Sequence, residues 1–179
     1  TPPIDTPKIW PPLNPKQGYR SKLIMDKGGQ IFGVSMGGVE FTRLSIMHSQ
    51  FLPISTPLTF AYRLFGGVYD KRTDVDTFES EKFSLGGANS LRGYKELSFY
   101  GNYRFSFNLE PRYQFNDGLM GVVFLDGGYI SDSIRSSFDS SFYYGYGFGV
   151  RFLSSFMPVR LDLGFGNDVI IHFNVSQTF

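Results

Sequence analysis

One part of this chain carries residues that could perform hydrolysis. Residues 33–37 read GVSMG, which matches the G-x-S-x-G pattern around a nucleophilic serine, and Asp126 and His172 follow in the hydrolase order. That motif requires a strand, a sharp turn and a helix, and no helical pattern follows Gly37. A glycine-rich stretch leading into a strand is therefore the better interpretation. We expect no catalytic residues and no enzymatic activity.

Other site chemistry is equally poorly supported. The chain has no cysteine and only two histidines, His48 and His172, which lie far apart in the sequence, so no metal site is predicted. Gly86 and Gly87 are not followed by the lysine of a phosphate-binding loop, and no cofactor is expected. A formal charge of only +1, without a basic cluster, argues against a nucleic-acid partner.

The elements that must position any site are strands. Aromatic residues make up 18% of the 179 residues, which excludes disorder, and no apolar run is long enough for a transmembrane helix. From residue 18 onward the hydrophobic pattern has a period of two, which indicates strands with two different faces. Between residues 103 and 116 every even position is polar. The predicted strands cover residues 18–26, 34–50, 56–69, 103–116, 119–130, 143–152, 159–165 and 169–179.

Alternation alone does not say which face is buried, and a soluble barrel or sandwich with an apolar core is the alternative. Three features favour a membrane. The strands are longer than the usual five or six residues, their polar faces carry Gly, Ser and Asn instead of dense Lys and Glu, and Tyr and Phe gather near strand ends. We therefore predict an all-β fold, a transmembrane antiparallel β-barrel with about eight strands per chain, which contacts lipid in the outer membrane.

The connections divide the chain into two regions and distinguish two rims. Six prolines make residues 1–17 a Pro-rich tether, predicted to be periplasmic, and residues 18–179 form the barrel domain. Short turns at residues 51–55, 116–118 and 154–158 contrast with long connections at 70–99 and 131–142, as in outer-membrane barrels. The short connection at 166–168 is the exception on the long-loop rim.

Four ordered motifs carry a resemblance to a known family. They are residues 91–94 (LRGY), 110–113 (EPRY), 124–128 (FLDGG) and 147–151 (GFGVR). Together with a C-terminal Phe179, they resemble the signatures of the outer-membrane-protein-eighty-five superfamily, the BamA/TamA/FhaC-like bacterial surface antigen barrels. The likeness covers residues 18–179 and corresponds to the C-terminal half of such a barrel. The sequence contains none of the periplasmic transport-associated domains found in members such as BamA.

The resemblance implies a connection, residues 70–99, that folds inward and docks Arg92, Gly93 and Tyr94 on the inner wall. Because a buried lone charge is costly, pairing of Arg92 with Asp126, assisted by Glu110, is the economical arrangement. An arginine exposed in an ordinary loop is the alternative. Arg112 shares the polar face with Glu110. The resemblance also implies that Phe179 is a C-terminal assembly signal.

The function implied is that of a pore or insertase in protein translocation or membrane-protein assembly, with a polypeptide client. The alternative is a barrel that anchors or translocates a passenger, such as a patatin-like lipase, encoded before Thr1. The Pro-rich tether slightly favours this alternative.

The number of strands raises the question of closure. Family barrels have about sixteen strands, and an eight-stranded barrel has room only for its own side chains. We therefore predict a homodimer joined through strand edges into one barrel of about sixteen strands, with residues 169–179 pairing with residues 18–26 of the partner. The alternative is a narrow monomeric barrel with the loop outside.

Overall fold

Antiparallel strands form almost all of the secondary structure in the computed structural model, which describes residues 15–28, 30–31, 34–35, 40–71, 81–133, 142–153 and 158–175. The strands are β1 Gly18–Gly28, β2 Gln30–Ile31, β3 Val34–Ser35, β4 Phe41–Pro53, β5 Leu58–Lys71, β6 Phe83–Leu85, β7 Phe99–Gly101, β8 Tyr103–Asn116, β9 Leu119–Ser131, β10 Phe142–Leu153, β11 Pro158–Phe165 and β12 Val169–Asn174. Among these residues, no helix is long and apolar enough to cross a membrane.

Eight of the strands form one sheet in the order β1-β4-β5-β8-β9-β10-β11-β12, and every neighbouring pair is antiparallel. The prediction of an all-β fold with about eight long strands is confirmed. One predicted strand is divided, because β4 begins only at Phe41 while β2 and β3 form a separate small hairpin. Strands β6 and β7 pair with each other inside the long connection between β5 and β8.

The burial pattern is inverted relative to a water-soluble protein. In β8 the odd, mostly apolar positions point outward, and Phe115 is 62% exposed. The even, polar positions Ser106, Asn108, Glu110 and Arg112 are buried on the inner face. Followed through the strand register, the outer face of the eight described strands carries only two charged side chains, Lys27 and Asp70, both near the long-loop ends of their strands. An apolar outer face of this kind is suited to lipid.

The sheet is open in the chain described. Strand β1 pairs only with β4 and β12 only with β11 among the described strands. Most of β1 is exposed on both faces. The short turns at residues 54–57 and 117–118 lie at one rim of the sheet. The register places the first residue of β1, Gly18, and the last residue of β12, Asn174, at that same rim.

The polar inner face of the sheet is covered in part by the connection between β5 and β8. Apolar side chains of this connection pack against the wall in a small cluster that contains Phe83, Leu85 and Leu91 from the connection with Tyr69 and Ile130 from the strands. These five side chains are buried. The described part of the connection, residues 81–102, is thus an inward loop fixed on the polar face of the sheet.

We expect the outer face to show a depth-dependent cost for charge. Leu125 lies mid-strand in β9 on the outer face and is 43% exposed, so Leu125→Arg should cost about 2–4 kcal/mol of folding free energy in a bilayer. The matched control is Phe115→Arg beside the turn, with an expected cost of about 0–1 kcal/mol. Denaturant titration of folding into lipid vesicles measures both. Equal costs at the two depths, or a chain that folds well without detergent or lipid, would contradict a lipid-facing outer surface.

Candidate functional site

The tip of the inward loop is shaped by glycine and by local hydrogen bonds. Gly86, Gly87 and Gly93 have φ angles of 123°, 94° and 91°, a region that side-chain-bearing residues rarely adopt. The Ser90 hydroxyl donates to the carbonyl of Gly86 at 2.8 Å and accepts from its amide at 3.0 Å. These turns place the next residues, Leu91 and Arg92, against the wall, where both are fully buried.

Arg92 is the centre of the site. Its guanidinium donates to both carboxylate oxygens of Asp126, from Nε and from Nη2, each at 2.7 Å. Its Nη1 donates to Glu110 Oε1 at 2.7 Å and to Asp162 Oδ2 at 3.4 Å. The Arg92 amide also donates to Asp126 at 3.0 Å, and the guanidinium lies 3.5 Å from the ring centroid of Phe124. One side chain thus joins the loop to strands β8, β9 and β11.

The charges around Arg92 are buried but compensated. Glu110, Asp126 and Asp162 have no exposed surface, and burial of an isolated carboxylate would be very costly. Burial by itself lowers the pKa of Arg92, but the carboxylates of Glu110 and Asp126 outweigh burial and hold that pKa above its usual value. Removing Arg92 would leave Asp126 buried without the guanidinium that it pairs with.

Further arginines complete this cluster, which we call the Arg92 network. Arg112 donates to Glu110 Oε2 from Nη2 at 2.7 Å, and Arg151 forms an ion pair with Asp162 through Nη1. Arg160 Nε lies 3.0 Å from Asp162 Oδ2. The Arg92 network comprises Arg92, Arg112, Arg151, Arg160, Glu110, Asp126 and Asp162.

The wall also binds the backbone of the loop. Asn108 donates to the carbonyl of Ser90 at 2.9 Å, and Arg160 Nη2 donates to the carbonyl of Ala88 at 2.6 Å. Arg63 donates to the carbonyl of Asn89. Three successive carbonyls of the loop tip therefore have side-chain donors from three different strands.

Glycines in β10 and around the β11–β12 turn leave space for the loop backbone. A Cβ on Gly145 would overlap the carbonyl oxygen of Arg92, and one on Gly164 would lie 2.6 Å from the amide nitrogen of Gly93. A Cβ on Gly166 would lie 2.6 Å from the Tyr94 ring. The amide of Asp168 donates to the Gly93 carbonyl at 3.2 Å. Only glycine permits this approach of loop and wall without displacement.

Tyr94 ends the docked segment on an aromatic group at the long-loop rim. Its ring centroid is 5.6 Å from that of Phe99 and 6.0 Å from that of Tyr143, and the latter two stack at 3.9 Å. With Lys95 and Asp168, these residues line a cavity of about 470 Å³. The loop is therefore fixed by charge in the middle and by aromatic packing at the rim.

The structure brings six of the sequence-predicted residues together: Arg92, Gly93, Tyr94, Glu110, Arg112 and Asp126. The sequence interpretation missed Asp162, Arg151 and Arg160 as members of this cluster. The signal was present, because the alternation in residues 159–165 places Asp162 and Arg160 on the polar face. Phe179 and residues 1–14 of the tether lie outside the described residues.

The described residues give little support to a serine-hydrolase site or to a metal site. Both Asp126 oxygens accept hydrogen bonds from Arg92, and Oδ1 also accepts one from Asn108. His172 is the cross-strand partner of Asp162. Residues 33, 36 and 37 of the serine motif lie outside the described part of the chain. Within the described ranges, no group of three or more His, Asp or Glu side chains is arranged to hold a metal ion.

Comparison with known proteins gives a family match and a fold match. The family model of the Omp85 superfamily domain matches residues 11–179. Among solved structures, the crystal structure of BamA from Haemophilus ducreyi lacking POTRA domains 1–3 is similar, with a TM-score of 0.68 and 12% sequence identity. The match covers 90% of this chain and 37% of that chain, so this chain spans little more than a third of that structure. No curated protein sequence matches this chain.

We expect strong coupling between Arg92 and Asp126. A double-mutant cycle with Arg92→Gln and Asp126→Asn should give a coupling energy of about 2–3 kcal/mol in unfolding experiments, because each change leaves the other group buried without its partner. This coupling should persist at high salt, since buried pairs are screened little.

The exposed pair Lys82–Asp132, with 24% and 62% side-chain exposure, is the matched control. Its coupling should stay below about 1 kcal/mol and decline as salt is added. A salt-sensitive or absent coupling for the Arg92 pair would show that the loop is not docked as described.

Proposed function

Because the chain belongs to the Omp85 superfamily, we propose that it is a non-enzymatic outer-membrane insertase or translocator that acts on polypeptides. The observation that carries this proposal is the loop residue Arg92, fully buried on the inner wall among three carboxylates. This geometry supports a lumen in which the inward loop is held in one docked arrangement.

The proposed mechanism uses the edges of the sheet. Among the described strands, β1 (Gly18–Gly28) pairs with β4 alone, and an open strand edge is a template for pairing with another strand. A client segment adding to this edge would place its apolar side chains toward lipid and its polar side chains toward the lumen. In this proposal the Arg92 network keeps the inner wall rigid and holds the loop in the passage while the edge opens.

Two copies are proposed to close one barrel of about sixteen strands. The inward loop already packs on the inner face of the sheet, whereas a closed eight-stranded barrel has room only for its own side chains. Open edges would leave backbone groups unpaired in lipid, which is costly. Joining β12 of each copy to β1 of the other satisfies both edges and leaves space for two loops.

Folding of a client barrel tests the proposed activity. Liposomes that contain this protein should accelerate the folding of a urea-unfolded small outer-membrane barrel, measured as the heat-modifiable band in gel electrophoresis. Liposomes that contain an unrelated closed eight-stranded barrel are the control. Equal folding rates would exclude insertase activity and would favour a barrel that anchors or translocates a passenger.

Crosslinking tests the dimer. The chain lacks cysteine, so Leu23→Cys in β1 and Phe173→Cys in β12 introduce defined sites on two exposed outer-face positions. With neighbours scanned for register, the double variant should form a covalent dimer in non-reducing electrophoresis. The control pairs Leu23→Cys with Phe148→Cys, an outer-face position in β10, and should remain uncrosslinked. Crosslinks formed only within one chain, with a monomer mass in mild detergent, would establish the narrow barrel.

A further inference from the structure

Positive charge is concentrated on the inner wall. The inner positions of the eight strands, assigned from the strand register, carry nine basic and four acidic side chains, although the whole chain has a formal charge of only +1. The basic ones are Arg20, Lys22, Arg43, Arg63, Lys71, Arg104, Arg112, Arg151 and Arg160, and the acidic ones are Asp26, Glu110, Asp126 and Asp162. Loops and termini therefore carry the compensating negative charge.

The two halves of the wall differ. On the side of β9 to β12, Asp126 and Asp162 are engaged by arginines of the Arg92 network. On the side of β1, β4 and β5, Asp26 is the one acidic inner position, and it lies opposite Arg43. Excess positive charge is thus concentrated near the first strand.

These cations recur along the strand direction. The register forms successive cross-strand rows on the inner face, each two residues from the next, which corresponds to about 7 Å. The rows contain Arg20 with Arg63, then Lys22, then Arg104, then Arg43 with Asp26. We call Arg20, Lys22, Arg43, Arg63 and Arg104 the cationic track, and its four rows span about 20 Å along the strands.

Arg43, Arg63 and Arg104 have defined contacts on the inner wall. The Arg43 guanidinium lies 4.5 Å from the ring centroid of Phe83, and that of Arg104 lies 4.4 Å from the centroid of Phe65. Arg104 also donates to the Ser106 hydroxyl at 3.1 Å. Arg63 donates to the Asn108 side chain, from Nε at 3.1 Å and Nη2 at 2.8 Å. The ring and hydroxyl contacts of Arg43 and Arg104 orient these two guanidinium groups without neutralising their charge. Arg63 in addition interacts electrostatically with the carboxylates of Glu110 and Asp126.

Arg20 and Lys22 are the most accessible members of the track. Both are exposed on β1, the strand at the open edge. In the part of the chain that the structure describes, neither side chain forms a hydrogen bond or an ion pair. The track therefore begins at the edge where the proposed client enters. Rows of Lys and Arg along a passage attract anions and raise their local concentration.

We infer that the cationic track binds acidic polypeptide segments, so that the preferred clients present Asp- or Glu-rich stretches to the lumen. This inference rests on the proposed function for the identity of the client, although the track itself is a property of the inner wall. Carboxylates on the client would pair with the successive rows of the cationic track. The arginines of the Arg92 network would not bind the client, because they already pair with carboxylates of the wall.

Binding of short peptides tests this inference without requiring insertase activity. Rhodamine-labelled oligoglutamate should bind the folded full chain in non-ionic detergent, detected by fluorescence anisotropy, and the affinity should fall as potassium chloride is added. Labelled oligolysine of the same length should bind far more weakly. The double variant Arg20→Glu/Lys22→Glu should weaken oligoglutamate binding about tenfold or more.

Matched controls separate the track from general charge. Lys27→Glu changes the charge on the outer face of the same strand and should leave oligoglutamate binding unchanged. Arg20→Gln/Lys22→Gln should give an intermediate loss if charge is the cause, and β-sheet circular dichroism confirms that each variant is folded. Equal binding of oligoglutamate and oligolysine, or equal losses for Lys27→Glu and the track variants, would overturn the inference.

The outcomes distinguish the inference from the proposed function. Preference for oligoglutamate without any acceleration of client folding would refute insertase activity and retain the track. Acceleration of client folding without that preference would retain the insertase and refute the track.

Discussion

The structure depends on compensating the charge of one buried arginine. Arg92 comes from a loop, yet its guanidinium contacts carboxylates from three strands, Glu110, Asp126 and Asp162. Burying carboxylates without a compensating cation is costly, so the loop arginine and the polar inner face of the wall stabilise each other. The inverted burial pattern of the barrel thus makes the loop part of the fold. The apolar cluster and the aromatic contacts of Tyr94 also fix the loop on the wall, on either side of Arg92.

The sequence predicted the strands well because the signal was local. A period of two over residues 103–116 separates polar from apolar side chains, and a strand is the element that can place them on opposite faces. Pro111 lies inside the strand that the sequence predicted over residues 103–116. The ladder between β8 and β9 is interrupted between the pairs Leu109–Leu125 and Arg112–Val122, where Pro111 offers no amide hydrogen.

The site was predicted only in part because its members converge through long-range register. Arg92 and Asp126 could be paired by counting charges, but the contribution of Asp162 depends on which strands lie opposite the loop tip. The same holds for Gly145 and Gly164, whose missing side chains leave room for the backbone of residues 92 and 93. A glycine in an alternating strand suggests that another backbone segment packs closely against it, but the sequence does not identify that segment.

Stability in this sheet is distributed unevenly, and the distribution has functional meaning. The central strands are joined by the Arg92 network and the docked loop, whereas β1 is exposed over nearly its whole length and the described β12 has only six residues. Segments with few buried contacts open at low free energy, while a network of mutually dependent buried charges opens only as a unit. A sheet built in this way can change at its edges without changing at its centre. An edge that can pair with another strand beside a fixed inner wall is the arrangement that the proposed insertion of polypeptides into a membrane requires.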